Sequence, residues 1–225
     1  MQNNVKQRNP QIVTPMGNFL LGIGDTHFGR EFKNDVLIEH RGVYEEKQYE
    51  VFNQLLEQPL PKNSIRIQVG DLFDKPSVGM QYLLYTLKYL YDYEKSSMPE
   101  KLYLLSGNHD DSKNSTKTAW QVIQTAVRNN NKVKAVQDWC IHTFPNGEKI
   151  LLLGWNITKN AAEAFLEAYE YNERKPFTTV VCHLDKISYG NDANVIPYEF
   201  FHNYGVKLIV SGHEHKPYHF YELGM

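Results

Sequence analysis

Short apolar runs that stop abruptly at glycine, aspartate, asparagine or histidine constrain this chain more than any other feature. They are "FLLGIGDTHFG" from Phe19, "SIRIQVGDLFD" from Ser64, "KLYLLSGNHD" from Lys101, "KILLLGWN" from Lys149, "TTVVCHLD" from Thr178 and "VKLIVSGHEH" from Val206. Each holds about five β-branched or aliphatic residues without polar alternation, the pattern of a strand buried on both faces. Between them lie stretches of helical period. Tyr44 to Gln58 sets Tyr44, Val51 and Leu55 on one side, and Val78 to Lys95 reads as a long, Tyr-rich helix. "TAWQVIQTAVRNN", "NAAEAFLEAYEYNE" and "IPYEFFHNYG" complete the set. Strands alternating with helices predict a layered α/β fold with a parallel or mixed sheet. In the middle, "VKAV", "WCIHTF" and "EKILLLGW" crowd around the turn "PNGE", which predicts an antiparallel meander. Residues 1–17 are polar and read as a loose arm or an extra edge strand. Residues 1–225 carry no repeat or linker that divides them, so one domain is expected.

The formal charge of −2 argues against a chain that coats nucleic acid by charge alone, and leaves room for a local basic groove. Two cysteines, Cys140 and Cys182, are too few for a disulfide framework. With no signal-like apolar start and no run of the ~20 residues that span a bilayer, a cytoplasmic protein without membrane contact is expected.

Chemistry-bearing residues fall where the predicted strands end, and open α/β sheets bind ligands outside their carboxyl ends. Asp25 and His27 follow the first run, Asp71 and Asp74 the second, and Asn108, His109 and Asp110 the third. His183 ends a later run, and His213 and His215 follow the last. A lone histidine is more often a satisfied core residue than a ligand. Five of the nine histidines standing beside carboxylates at strand ends reverse that expectation. Carboxylate oxygens mixed with imidazole nitrogens suit a borderline divalent ion such as Mn²⁺, Fe²⁺, Co²⁺ or Zn²⁺, and not Ca²⁺. The donors outnumber what one ion uses, so two ions sharing a carboxylate are expected.

The order of these motifs is D-x-H at Asp25–His27, G-D-x-x-D at Gly70–Asp74, G-N-H-D at Gly107–Asp110, His183, and G-H-x-H at Gly212–His215. In this the chain resembles the calcineurin-like metallophosphoesterase superfamily. The resemblance implies a four-layered α/β/β/α sandwich holding two divalent ions. It places Asp25, His27 and His215 on the first ion, Asn108, His183 and His213 on the second, and Asp71 between them. It also implies that His109 protonates the leaving oxygen and that Asp110 orients His109.

Finer detail separates branches of the superfamily. Protein serine/threonine phosphatases carry G-D-x-V-D-R-G and G-N-H-E, whereas this chain has "GDLFDKPS" and "GNHDD". It is similar instead to SbcD-type nuclease subunits and their phage recombination counterparts, in which a Pro-Ser follows the second motif as Pro76-Ser77 does here. That likeness implies a Mn²⁺-dependent DNA nuclease, commonly a homodimer, that works with an SbcC-like ATPase. In that group the ATPase-docking helices and a capping domain follow the last motif, and this chain ends ten residues after His215. A phosphatase or phosphodiesterase of nucleotides or other small phosphoesters is therefore the alternative. Arg30, Lys75, Lys113 and Lys117 lie in loops beside the motifs, where they are candidates to meet phosphate. Asp74 is a candidate to face the substrate over the site, to cap a helix beginning near Pro76, or to do both. His40, His142 and His202 match no motif and are read as background, and His219, outside the last motif on what reads as a final strand, is taken as structural.

Overall fold

The computed structural model describes residues 11–32, 37–40, 42–112, 117–184 and 198–213. His215, His219, Lys113 and the first ten residues of the N-terminal arm lie outside them. One sheet contains β1 (Gln11–Val13), β2 (Phe19–Ile23), β3 (Ile65–Gln68), β4 (Lys101–Leu105) and β5 (Val133–Val136), in that order. Strand β1 runs antiparallel to β2 and the rest are parallel, joined through α1 (Val43–Glu57), α2 (Met80–Lys95) and α3 (Ala119–Val127). The second sheet orders β6 (Trp139–Thr143), β7 (Lys149–Leu153), β8 (Thr179–His183) and β9 (Leu208–Gly212). Its β6–β7 pair is antiparallel, and α4 (Ala161–Tyr171) and α5 (Tyr198–Asn203) make the parallel crossovers that follow. No helix among the described residues is long and apolar enough to cross a membrane.

Three apolar clusters show why the strands read as unbroken apolar runs. Leu21, Ile23, Leu102 and Leu104 meet Phe52, Leu56, Leu90 and Ile123 of the first three helices. Their neighbours Leu20, Tyr103 and Leu105 point the other way, onto Ile150, Leu152 and Val181 of the second sheet. Leu151, Leu153 and Val180 then face Phe165 and Ala168 of α4 and Phe201 of α5. Each central strand therefore buries both faces, and the layers run helix, sheet, sheet, helix. At ~25 cal/mol per Å² of apolar area removed from water, each such Leu or Ile contributes ~1.5–3 kcal/mol.

Local chemistry sets the element ends. Thr118 caps α3 by accepting from Gln121 N at 3.3 Å, and Asn160 caps α4 by accepting from Ala162 N at 2.8 Å. Helix α1 has no basic residue in its last turn. The buried guanidinium of Arg66, on β3, donates instead to the carbonyls of Leu55 and Gln58. This puts a cation at the negative end of the helix dipole.

Three expectations are corrected. The predicted meander is only the β6–β7 hairpin, because β5 leaves it to pair in parallel with β4 in the other sheet. The buried stripe of α1 is Tyr49, Phe52 and Leu56, while Tyr44 and Val51 stay about half exposed. This helix is apolar on more than one side, and the side that meets the sheet is set by packing. Helix α2 starts at Met80 with Gly79 at its N-cap and no side-chain cap bond, so Asp74 caps nothing there.

At the end of the sandwich away from the β-strand carboxyl termini, Glu148 is 5 % exposed. It accepts hydrogen bonds from Thr14 Oγ1 (2.7 Å) and Asn18 Nδ2 (2.5 Å) on the first sheet's side, and from Thr178 Oγ1 (2.8 Å) on the second's. Glu148→Ala strands these donors and is expected to lower the unfolding free energy by ~1–3 kcal/mol, with Glu148→Gln less costly. Urea unfolding measures this, and an unchanged midpoint for the alanine variant would mean that the cluster does not tie the sheets together.

Candidate metal centre

The carboxyl ends of β2, β3, β4, β8 and β9 converge, and the loops leaving them are stitched together through the backbone. His27 N donates to Asp71 O and Phe28 N to Leu72 O, both at 2.9 Å, and Asp74 N returns to Phe28 O at 3.0 Å. Space here is tight enough to require glycine. A Cβ on Gly107 would stand 2.0 Å from Asp71 Oδ1. Gly70 has φ +95°, and a Cβ there would stand 2.0 Å from His183 Nδ1. Three non-glycine residues of the site adopt left-handed backbone, namely His27 (φ 46°), Asp71 (φ 49°) and His213 (φ 81°). Such conformations cost ~1–3 kcal/mol each and persist only where the surroundings hold them.

The side chains form two groups that share one carboxylate. Ligand atoms of His27, Asp71 and His109 lie within 4.8 Å of one another, as do those of Asp71, His183 and His213. Asp71 Oδ2 is 3.6 Å from His27 Nε2 and 3.5 Å from His183 Nε2. Asn108 Oδ1 stands 3.1 Å from His183 Nε2 and 2.9 Å from His213 Nδ1. Asp25 accepts from His213 N at 3.1 Å and lies 3.5 Å from His183 Nδ1. His183 Nδ1 is 2.8 Å from Val69 O, so it carries the proton and leaves Nε2 as the metal-facing atom. Of the seven metal ligands expected, Asp25, His27, Asp71, Asn108, His183 and His213 gather here, and His215 lies outside the described residues.

The electrostatics fit a cation site. Burial acts to raise the Asp71 carboxyl, but the imidazole of His183 and the N–H of His109 outweigh it and hold the group below the ordinary range. Burial acts to lower His183, yet Asp71 and Asp25 outweigh it and raise the imidazole above its ordinary value. Burial dominates at His27 and lowers it. A buried carboxylate kept ionised and imidazoles at hydrogen-bond range are the donor states that a divalent ion needs, and an ion displaces the proton that His183 otherwise holds.

Two expected roles change. The Asp110 carboxylate, fully buried, accepts from Phe73 N (2.8 Å), Leu72 N (3.1 Å) and Gly107 N (2.9 Å). Burial pushes it up to about 7 against the pull of those three donors. The Asp110 side chain is turned to the loop behind Asp71, and the contact at His109 Nδ1 is the Asp74 carbonyl oxygen at 2.7 Å. The Asp74 carboxylate lies 3.4 Å from His27 Nδ1, so this residue braces two imidazoles. Arg30 and Lys75 are exposed on the flanking loops.

Four residues that no motif marked complete the frame. Gln68, wholly buried at the end of β3, holds both polar groups of the Gly70 peptide and reaches Thr26 Oγ1 at 3.4 Å. Thr26 Oγ1 in turn donates to Asp71 O (3.3 Å) and Leu72 O (3.1 Å). Ser106 and Trp155 meet across the sheets, Ser106 Oγ donating to Trp155 O at 2.7 Å and Trp155 N to Ser106 O at 2.8 Å. The signal for all four is adjacency to a strand end, which does not distinguish them from spacers.

If Asp110 is a clamp, Asp110→Ala should cost more than ~2 kcal/mol by stranding three buried donors, whereas Asp111→Ala next to it should cost under ~1 kcal/mol. Thermal and urea unfolding of both variants decide this. An Asp110→Ala protein of wild-type stability that had lost only turnover would return the residue to the orienting role.

The chain is similar, among solved structures, to a protein of unknown function from Aquifex aeolicus, with 16 % identity over 86 % of this chain and 89 % of that one at a TM-score of 0.40. A comparison with curated proteins returns no match. The family model described as calcineurin-like phosphoesterase matches residues 20–217. That span takes in both sheets apart from β1, and every loop that delivers a donor, and the chain belongs to the calcineurin-like phosphoesterase family.

Proposed function

We propose that this protein is a metal-dependent phosphodiesterase that cleaves DNA, with two divalent ions, Mn²⁺ by preference, held around Asp71. The observation that carries the hydrolase reading is the pair of donor groups with Asp71 in common. The likeness of "GDLFDKPS" and "SGNHDD" to SbcD-type subunits supports DNA as the substrate.

In this reading Asp25 and His27 hold one ion with His215, and Asn108, His183 and His213 hold the other. Bound ions of this kind neutralise phosphate charge and lower the pKa of water, so that a nucleophile exists at neutral pH. The chain's own residues do the rest. The clamps on the Asp71 loop keep the donors in place before substrate arrives, which is where electrostatic catalysis gains its advantage. His109 keeps Nδ1–H on the Asp74 carbonyl, so its Nε2 is the edge that delivers a proton to the leaving alkoxide oxygen. Arg30 and Lys75 offer exposed cations to the flanking phosphates.

Asp71→Asn should lose bound metal together with activity. His109→Ala should keep the metal and lose ~10²–10⁴ in turnover, least with good leaving groups such as p-nitrophenolate. Calorimetry with Mn²⁺ alone, beside a panel of duplex DNA, single-stranded DNA, nucleoside monophosphates and bis-p-nitrophenyl phosphate, tests both variants. Phosphate release from nucleotides with DNA left intact would replace the nuclease by a small-phosphoester enzyme, and normal DNA cutting by His109→Ala would remove the acid role.

Acid should weaken metal binding. Because His183 is raised above an ordinary histidine, protons compete with the ion from a higher pH, and apparent Mn²⁺ affinity should fall as pH drops through the histidine range. Affinity that stays flat across that range would show that the histidines are not ligands.

A further inference from the structure

We propose that Trp155 is a positioning residue for the ion held by Asn108, His183 and His213, and that Ser106 holds Trp155 in place. This rests on the dinuclear reading above and adds a residue outside the donor set. Trp155 follows β7, is 7 % exposed, and contributes no ligand atom. Its ring lies 5.7 Å from that of His213, tilted by 31°, and 6.2 Å from that of His183, nearly edge-on. Two of that ion's three side chains therefore rest against one indole, at distances typical of aromatic contacts.

His213 needs such a wall. Its backbone is left-handed, its N–H is taken by Asp25, and its Nδ1 meets Asn108 Oδ1. The tilt of the imidazole plane is bounded by two rings, the edge-on His183 imidazole at 5.1 Å and the Trp155 indole on another side. The Trp155 backbone that carries the indole is anchored by two hydrogen bonds to Ser106, the residue before the G-N-H-D motif, Ser106 Oγ donating to Trp155 O and Trp155 N to Ser106 O. The fit is close: a Cβ on Gly154 would stand 2.6 Å from Ser106 Oγ and 2.4 Å from Val136 O. Asn108 and the wall behind His213 are thus registered to each other through Ser106 and Trp155, which lie just after β4 and β7. Outer partners that fix the orientation of a metal ligand are typically worth ~10–100-fold in metal affinity.

The test compares wild type, Trp155→Ala, Trp155→Phe and Ser106→Ala by calorimetry with Mn²⁺ alone, by thermal melting, and by quenching of indole emission on adding Co²⁺. Trp155→Ala should weaken one of two Mn²⁺ binding events ~10–100-fold and leave the other within about threefold. Trp155→Phe, which keeps an aromatic face, should recover most of that affinity yet lose the greater part of the Co²⁺ quench, although Trp120 and Trp139 remain. Ser106→Ala should weaken the same event to a smaller degree, and carries the test with Trp155→Phe if the alanine variant at 155 does not fold. Wild-type affinities in the Trp155 and Ser106 variants overturn the proposal, as does an equal loss at both events that follows the melting temperature. A wild-type protein that binds fewer than two Mn²⁺ overturns the dinuclear reading, and this proposal with it.

Discussion

A carboxylate kept ionised in a nearly dry place is the constraint around which this protein is built. Asp71 is 1 % exposed, and every motif reaches it. Its Oδ1 accepts from His109 N, its Oδ2 faces His27 and His183, and its carbonyl oxygen accepts from His27 N and Thr26 Oγ1. Burying a charge without such partners is costly. Those same partners leave the carboxylate as the shared member of two donor groups, which is the arrangement that a pair of cations completes.

The fold makes this affordable by dividing its tasks between two ends. At the active end the two sheets are joined through polar contacts, namely His183 to Val69, His213 to Asp25, and Trp155 to Ser106. At the far end Glu148 gathers donors from both sheets. Between them lies an apolar layer contributed by β3, β4, β7 and β8. The layer supplies stability without directing any side chain at the substrate, so the loops are left to adopt the strained, glycine-dependent shapes that position the donors.

Much of this was legible in the residues, and the misses have physical causes. Strands β2, β3, β4, β7 and β8 stood out because burial on both faces removes polar alternation. Strand β5 is ambiguous in sequence because "VKAV" alternates like an edge strand and is joined to β6 by only Gln137 and Asp138, a connection that suits a hairpin as well as a change of sheet. The stripe on α1 is ambiguous in sequence because Tyr44, Val51 and Leu55 are as apolar as Tyr49, Phe52 and Leu56, so period alone offers two faces. The family resemblance pairs Asp110 with His109, whereas its side chain turns back to three backbone N–H groups.

By itself, then, the sequence determined the layered α/β class, the donor types and the strand ends where they sit, since these follow from periodicity and from the chemistry of carboxylates and imidazoles. Only the tertiary structure decided that the Asp74 carbonyl meets His109 while the Asp110 side chain meets three backbone N–H groups, and that Gln68, Thr26, Ser106 and Trp155 belong to the frame. Those facts depend on which backbone groups from separate loops face one another once two sheets are stacked, and no local pattern encodes an approach between residues so far apart along the chain.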